Sequence, residues 1–332
     1  MSEYSRISDP GRIGKLEIRN RVSMSPMEKQ WADRLGDPPQ FYVNYMAERA
    51  RHGVGMITME STFVDPRGRG NIFQLGLWDD SNVEHHRKLT DAVRAHGTRS
   101  ATELMHVGRQ GATYKIGLQP EAQSAVPCEV SGGYLPRRIE HEEIARIREN
   151  FRKAARRAVE AGYDMITIHG AHGYLITGFL SPRFNQRNDE YGGSEENRWR
   201  FPREVYEVIR EEVGDDVPVG FRLSADEDVE GGLTVAHSIA FIQKMTELGL
   251  DYVDVSAGVY ESAPTIIQPM DLPEGVLLPI AKEMKRSLDI PVIAAGRINT
   301  MALAERALEA GDADFIHMGR AFHCDPAIYE KA

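Results

Sequence analysis

The stretch His169–Leu175, HGAHGYL, with its continuation ITGFLSPRFNQRNDEYGGSEENRWRF to Phe201, decides how the chain is read. Just before it, Met165-Ile166-Thr167-Ile168 is a short apolar run of the kind that forms a buried strand. The run stops at His169. Two histidines three apart, and a tyrosine two further on, therefore gather at the C-terminal end of that strand. One histidine at a strand end is usually a hydrogen-bonded structural group. Two histidines and a tyrosine at the C-terminal mouth of a barrel strand point to catalysis. A metal centre is the rival reading. Zinc takes three or four protein ligands, and the chain has neither HExxH nor a nearby cysteine, so no metal is assigned. The loop that follows is long, and long loops in compact domains are functional or disordered. Its aromatics and paired charges predict an ordered one.

Working outward, the chain alternates strands and helices. Arg12–Arg19 reads as a short hairpin that closes the bottom of the fold. Strands are expected over Arg21–Met24, Val54–Met59, Ser100–Met105, Met165–His169, Val217–Leu223, Tyr252–Val255, Pro291–Ala294 and Asp314–Met318. Helices fall between them, over Gln40–His52, Asp80–His96, Glu140–Ala161, a segment from Ser194 as N-cap to Val213, Val235–Leu248, Val276–Leu288 and Met301–Ala310. The clearest is Glu140–Ala161, where Ile144, Ile147, Phe151, Ala154, Ala158 and Ala161 share one face. Glycines 53, 97, 162, 249 and 311 stand where helices should stop. Eight such units predict an α/β fold, a (β/α)8 TIM barrel with a short N-terminal hairpin and insertions after strands three and four. A doubly wound sheet is the runner-up, but its glycine-rich turn after strand one is replaced by Ser25-Pro26-Met27.

Composition narrows the function. The 332 residues suit one large barrel, and 41% apolar residues suffice for its core. A formal charge of −10 argues against nucleic acid. The two cysteines, Cys128 and Cys324, make no disulfide framework and fit a reducing cytoplasm. No apolar run is long enough to span a membrane, and the N-terminus lacks the apolar core of a signal peptide. A small-molecule substrate is expected, with no nucleic acid and no membrane partner. Homo-oligomerisation is left open.

Two turns point to phosphate. Ala295-Gly296-Arg297 follows strand seven and Gly319-Arg320 follows strand eight, where barrels commonly hold a phosphate. Glycine lets backbone N–H groups approach, and arginine offers a planar fork. Two ordinary GR turns are the bland alternative. Their coincidence at these two positions favours phosphate.

The pattern HxxHGY…FLSP..N.R.D.YGGS.ENR.RF, together with these turns, resembles the old yellow enzyme family of FMN oxidoreductases, over about Asn20 to Pro326. The resemblance implies one FMN-binding barrel over residues 1–332, with NADPH or NADH as reductant. It implies flavin contacts at Ser25, Pro26, Met27, Ser61, Glu103 and Arg222, and FMN phosphate at Ala295, Gly296, Arg297, Gly319 and Arg320. His169 and His172 would hold the substrate carbonyl and Tyr174 would donate a proton. Tyr260 and Glu28 are further substrate-binding candidates. Glu103 departs from the usual glutamine and resembles the trimethylamine dehydrogenase branch. Glu28 is a second departure, and either a cationic substrate or an arginine in the mouth would answer it. Ser61 stands where that branch carries a cage aromatic, so Tyr260 or Trp31 would have to supply cation–π faces.

The leading expectation is NAD(P)H-dependent reduction of an activated C=C. The alternatives are an amine dehydrogenase or oxidative N-demethylase at the same site, and a barrel that binds a phosphorylated ligand without redox chemistry. His106 is given a supporting hydrogen bond at most. Asp189, Tyr191, Asn197 and Arg198 are read as loop braces. The close at Ala332 reads as a truncated or short variant of a family whose larger members carry an iron–sulfur segment. An iron–sulfur cluster is expected only if the native chain is longer.

Overall fold

The structure, a computed structural model, describes residues 4–332. Eight parallel strands close into a barrel: β1 (Val22–Met24), β2 (Met56–Phe63), β3 (Arg99–Met105), β4 (Met165–Gly170), β5 (Val219–Ser224), β6 (Tyr252–Ser256), β7 (Val292–Ala294) and β8 (Phe315–Met318). Each pairs with its sequence neighbour, and β8 returns to β1 through Ile316–Val22 and Met318–Met24. The outer helices are α1 (Gln40–Arg51), α2 (Asn82–Arg94), α3 (His141–Glu160), α4 (Glu195–Val213), α5 (Val235–Glu247), α6 (Leu278–Ser287) and α7 (Met301–Glu309). The TIM barrel read from the sequence is the fold, with element ends shifted by a few residues. Among the described residues no helix is long and apolar enough to cross a membrane.

Local chemistry explains the helix ends. In α3 the Glu140 N–H donates to the Glu143 carboxylate at 2.8 Å, the reciprocal half of a capping box. Its expected apolar face is buried against the barrel. In α4 the Ser194 hydroxyl accepts from the Asn197 N–H at 3.2 Å. Gly214, at φ 68, lets the chain leave the helix in a left-handed turn.

The hairpin Gly11–Ile13/Leu16–Ile18 closes the N-terminal end. Its Ile13 and Ile18 pack with Met56, Ala101, Met165, Tyr252, Ile293 and Phe315, one inward residue from each of several strands. Gly11 is required there, because a Cβ would lie 2.4 Å from the Phe315 ring. Burying the phenyl group contributes about 2–3 kcal/mol.

At the opposite end the insertions build the mouth. Between β3 and α3, Glu121–Ala122 and Arg137–Arg138 form a small parallel pair. Buried Glu121 holds Arg67 at 3.1 Å and Arg146 at 2.7 Å. The loop after β4 is ordered, as expected. It contains an unforeseen helix, Leu175–Leu180, buried on every side. Asn185 then ties the loop together, donating to the carbonyls of Phe179 at 2.7 Å and Tyr191 at 2.8 Å. Asp189 accepts from Arg187 at 2.6 Å, Asn197 donates to the Gly192 carbonyl and Arg198 to that of Leu180. These are bracing contacts.

One irregularity matters for the site. The β2–β3 register slips by a residue between Thr58 and Ser61, so that Ser61 aligns with Glu103. This is the signature of a β-bulge, which re-aims side chains. Ser61 lines the mouth, whereas buried Glu60 accepts from the Lys29 backbone N–H at 2.6 Å.

Candidate active site

A cavity of about 370 Å³ opens at the C-terminal end of the barrel. Its walls carry every residue singled out above for catalysis, substrate or cofactor: His169, His172, Tyr174, Ser25, Pro26, Met27, Glu28, Ser61, Glu103, Arg222, Tyr260, Ala295, Gly296, Arg297, Gly319 and Arg320. Trp31 is the exception among the secondary candidates. It packs edge-on against Phe41, Tyr42 and Tyr45 at the surface and is 37% exposed. The loop after β1 carries it outside the barrel, so it offers no face to the cavity.

The floor is a chain of buried charges. Arg222 on β5 donates to Glu103 on β3 at 3.2 Å, and its Nε lies 3.5 Å from Asp254 on β6. Asp254 in turn lies 3.4 Å from Nδ1 of His317 on β8. Burial pushes the Glu103 carboxyl up to about 7; Arg222 pulls it back and Asp254 adds to the rise. Burial works against the Arg222 charge, but Glu103 and Asp254 more than offset it and hold the guanidinium charged. Burial also depresses His317. Arg222 Nε, both Asp254 oxygens and His317 Nδ1 have no well-formed hydrogen bond among the described residues. Orphaned buried polar atoms are costly unless a ligand or water completes them.

The histidine pair sits above this floor. His169 Nδ1 accepts the Ala171 N–H at 3.2 Å, so a neutral ring carries its proton on Nε2, 3.6 Å from the Glu103 carboxylate. His172 adopts the left-handed region, φ 62, followed by Gly173 at φ 80. A non-glycine residue there is held by its surroundings. Here the Ser224 hydroxyl accepts from the His172 N–H at 2.8 Å, and the Gln110 amide donates to its carbonyl at 3.0 Å. The turn brings the His172 ring back over the mouth, 5.1 Å from that of His169, with its Nε2 2.8 Å from the Ser256 hydroxyl. Burial holds both histidines well below the usual imidazole range, with Arg222 adding to the effect. Both are therefore neutral hydrogen-bonding groups at pH 7.

Tyr174 stands edge-on to His169 at 4.7 Å, and its hydroxyl lies 3.1 Å from that of Tyr260. Burial raises its pKa well above the usual tyrosine value, with Tyr260 adding to it, so the hydroxyl keeps its proton.

The GR turns face the other side of the cavity. Gly296 has φ 107, and a Cβ on it would lie 2.7 Å from Leu277. Arg297, at φ 54, donates from one Nη to the Pro269 carbonyl at 2.6 Å and leaves Nε without a partner. Gly319 lies under Met27, where a Cβ would meet the sulfur at 2.9 Å. Exposed Arg320 follows it. Tight glycine turns, an orphaned guanidinium nitrogen and a second arginine fit a phosphate. The Arg222 guanidinium and the Glu103 acceptor fit the polar edge of a flavin ring. The residues present therefore suit FMN.

Behind Met27, Lys29 Nζ pairs with Glu60 at 3.3 Å and donates to the Met27 carbonyl at 2.8 Å. Glu28 is held by the Asn71 amide and not by an arginine. His106, buried, accepts from the Gly108 N–H at 3.2 Å and stays off the cavity wall.

Ser256 and His317 also line the cavity and were not foreseen. Asp254, two residues before Ser256, and His317, two after Phe315, lie on inward faces that alternation along β6 and β8 identifies. Ile266, Ile267 and Gln268 close one wall from a loop with no periodic signal.

Comparison with known proteins gives the same direction. A family model described as NADH:flavin oxidoreductase / NADH oxidase matches residues 7–332. An NADH oxidase from Thermoanaerobacter brockii is 43% identical over 100% of this chain and 51% of its own length. An NADPH dehydrogenase from Bacillus subtilis is 36% identical over 98% of this chain and 94% of its own. A solved 2-naphthoyl-CoA reductase superposes with TM-score 0.92 at 30% identity, covering 98% of this chain and 52% of that one. A histamine dehydrogenase from Rhizobium sp. 4-9 does so with TM-score 0.90 at 31% identity, over 99% and 48%. The chain thus spans about half the length of some relatives and nearly all of others.

Proposed function

Because the chain belongs to the NADH:flavin oxidoreductase / NADH oxidase family, we propose that it is an FMN-dependent oxidoreductase that uses NADPH or NADH to reduce an activated C=C. Bound FMN supplies hydride transfer between nicotinamide and substrate. The observation that carries the reading is geometric: the His169 and His172 rings stand 5.1 Å apart, with Tyr174 4.7 Å from His169, on the wall of the cavity that Arg222 also lines.

Each side chain has a definite task. His169 donates from Nε2 to the substrate's carbonyl oxygen. In the tautomer in which His172 Nε2 accepts a hydrogen bond from the Ser256 hydroxyl, the imidazole proton sits on Nδ1, ready for the same oxygen. Two neutral donors stabilise the negative charge that develops there as the alkene is reduced. Tyr174 Oη holds the proton destined for the α-carbon, and Tyr260 orients that hydroxyl. Arg222 fixes a cation on the floor, where the polar edge of the flavin ring would lie. Gly296, Arg297, Gly319 and Arg320 would hold the phosphate. The buried Lys29–Glu60 pair braces the Ser25–Met27 segment.

Oxidation of an amine at the same site is the second reading. The carboxylates of Glu28 and Glu103 on the cavity wall favour it, as does likeness to a histamine dehydrogenase. A barrel without redox chemistry, left open by the sequence, has no support from its relatives.

The test is an anaerobic visible spectrum of the FMN-loaded protein. Bleaching by NADPH or NADH, reversed by cyclohexenone, is the expected result. Bleaching by methylated amines but not by pyridine nucleotides would replace this reading with the second.

A further inference from the structure

Glu28 is a carboxylate on the cavity wall without an ion-pair partner among the described residues. The Asn71 amide donates to it, and the Ser61 hydroxyl is a second neutral hydrogen-bond partner. The adjacent Lys29 is committed elsewhere, to Glu60 at 3.3 Å and to the Met27 carbonyl at 2.8 Å. Burial pushes the Glu28 carboxyl above its ordinary value, and the Asn71 bond and the more distant Lys115 and Lys29 charges only partly reverse this. Glu28 lines the same cavity as Tyr174 and Tyr260. Those two rings stand edge to face with centroids 5.9 Å apart.

A half-buried carboxylate with no ion pair of its own gains from a cation placed beside it. Here it coincides with two electron-rich rings, whose faces attract cations. The reacting end of the cavity is already occupied by the histidine donors, which suit a carbonyl oxygen. A substrate that satisfies both ends carries an acceptor at one point and a positive charge at another.

We propose that the alkene reduced by this protein carries a cationic group, an ammonium or quaternary ammonium, that pairs with Glu28 beside Tyr174 and Tyr260 and is not itself oxidised. This rests on the reading of the cavity as a flavin and substrate site. It differs from amine oxidation in that the cation is a handle and the C=C is the reacting bond. It also gives the carboxylate at position 28 a task distinct from holding the cofactor.

The test uses the FMN-loaded full chain and two probes of the same shape, 4-(trimethylammonio)benzaldehyde and 4-tert-butylbenzaldehyde. Each offers a carbonyl to the histidines, and they differ in one positive charge. Binding is read from the change in the flavin's visible spectrum. The charged probe is expected to bind at least about tenfold more tightly to the native protein, an advantage of about 1.4 kcal/mol. Glu28→Gln should reduce that ratio to about one, and Glu28→Asp should retain part of it. Equal affinity in the native protein overturns the proposal even if no variant folds, as does a ratio that Glu28→Gln leaves intact. Binding of the neutral aldehyde without preference for the charged one removes the cation handle alone. Failure of both aldehydes to perturb bound flavin removes the reading of the cavity, and the handle with it.

Discussion

At the N-terminal end of the barrel, Met56, Ala101, Met165, Tyr252, Ile293 and Phe315 pack on the hairpin's Ile13 and Ile18. Two residues further along several of the same strands stand Glu103, Thr167, Asp254 and His317, with Arg222 on β5. The inward faces are set by one alternation, and their chemistry reverses within a single step. The lower layer is an apolar plug whose polar exception, the Tyr252 hydroxyl, lies 2.7 Å from Thr167 Oγ1 and donates to the Ile166 carbonyl at 3.1 Å. The upper layer has charged groups, one carboxyl pushed to about 7, and several orphaned atoms. The plug holds the strand ends in register. The floor gives up some of that stability in exchange for a preorganised polar surface.

The comparison breaks if the two layers respond alike to mutation. Phe315→Ala should cost about 3–5 kcal/mol in chemical denaturation, by loss of buried area and creation of a cavity. Flavin affinity should stay nearly constant in the folded fraction, because distant sites act independently. A large loss of affinity would mean that the plug reaches the site.

The reverse case is His169→Ala with His172→Ala. The fold and bound flavin should persist, while transfer to an enone slows by about a hundredfold or more in stopped-flow reoxidation, the scale of lost oxyanion donors. Unchanged turnover would remove the pair from the chemistry.

Glu103 sharpens the contrast through pH. Its folded pKa, about 7, lies above the ordinary carboxyl value of 4.5 because of burial. The folded state therefore holds the proton more tightly than the unfolded chain. The stability this gives is fully present below about pH 4.5 and is lost as pH rises through 7. Glutamine does not titrate, so the stability of Glu103→Gln relative to the native flavin-free chain should grow from pH 5 to pH 8, by up to about 3 kcal/mol. Denaturation midpoints across that range measure it. A constant difference would show that the carboxyl titrates normally.

The smallest effect is expected far from both layers. Ser194→Ala removes the hydroxyl that caps α4 and should cost about 1 kcal/mol with no change in the flavin spectrum.

Much of this was legible in the chain. The barrel strand before His169 reads as a short apolar run and the outer helices carry a period, which the helix through Ile144, Phe151 and Ala158 shows most plainly. HGAHGYL and the two GR turns marked three parts of one cavity. What escaped lacked such a signal. Leu175–Leu180 is buried on all sides, so no amphipathic face announced it. Asp254 and His317 sit inside apolar strands and become a network only when barrel closure brings β6 and β8 to the same floor. The slip at Thr58–Ser61 depends on pairing with β3. Trp31 was misplaced because an aromatic in a loop has no direction until the loop's path is known; Phe41, Tyr42 and Tyr45 draw it outward.

The most direct test of the central claim is stoichiometric. Flavin-free protein is incubated with excess FMN, passed through gel filtration and read for flavin per chain. One bound FMN per chain, greatly weakened in Arg222→Ala, is the predicted result. A chain that stays colourless while correctly folded would contradict it.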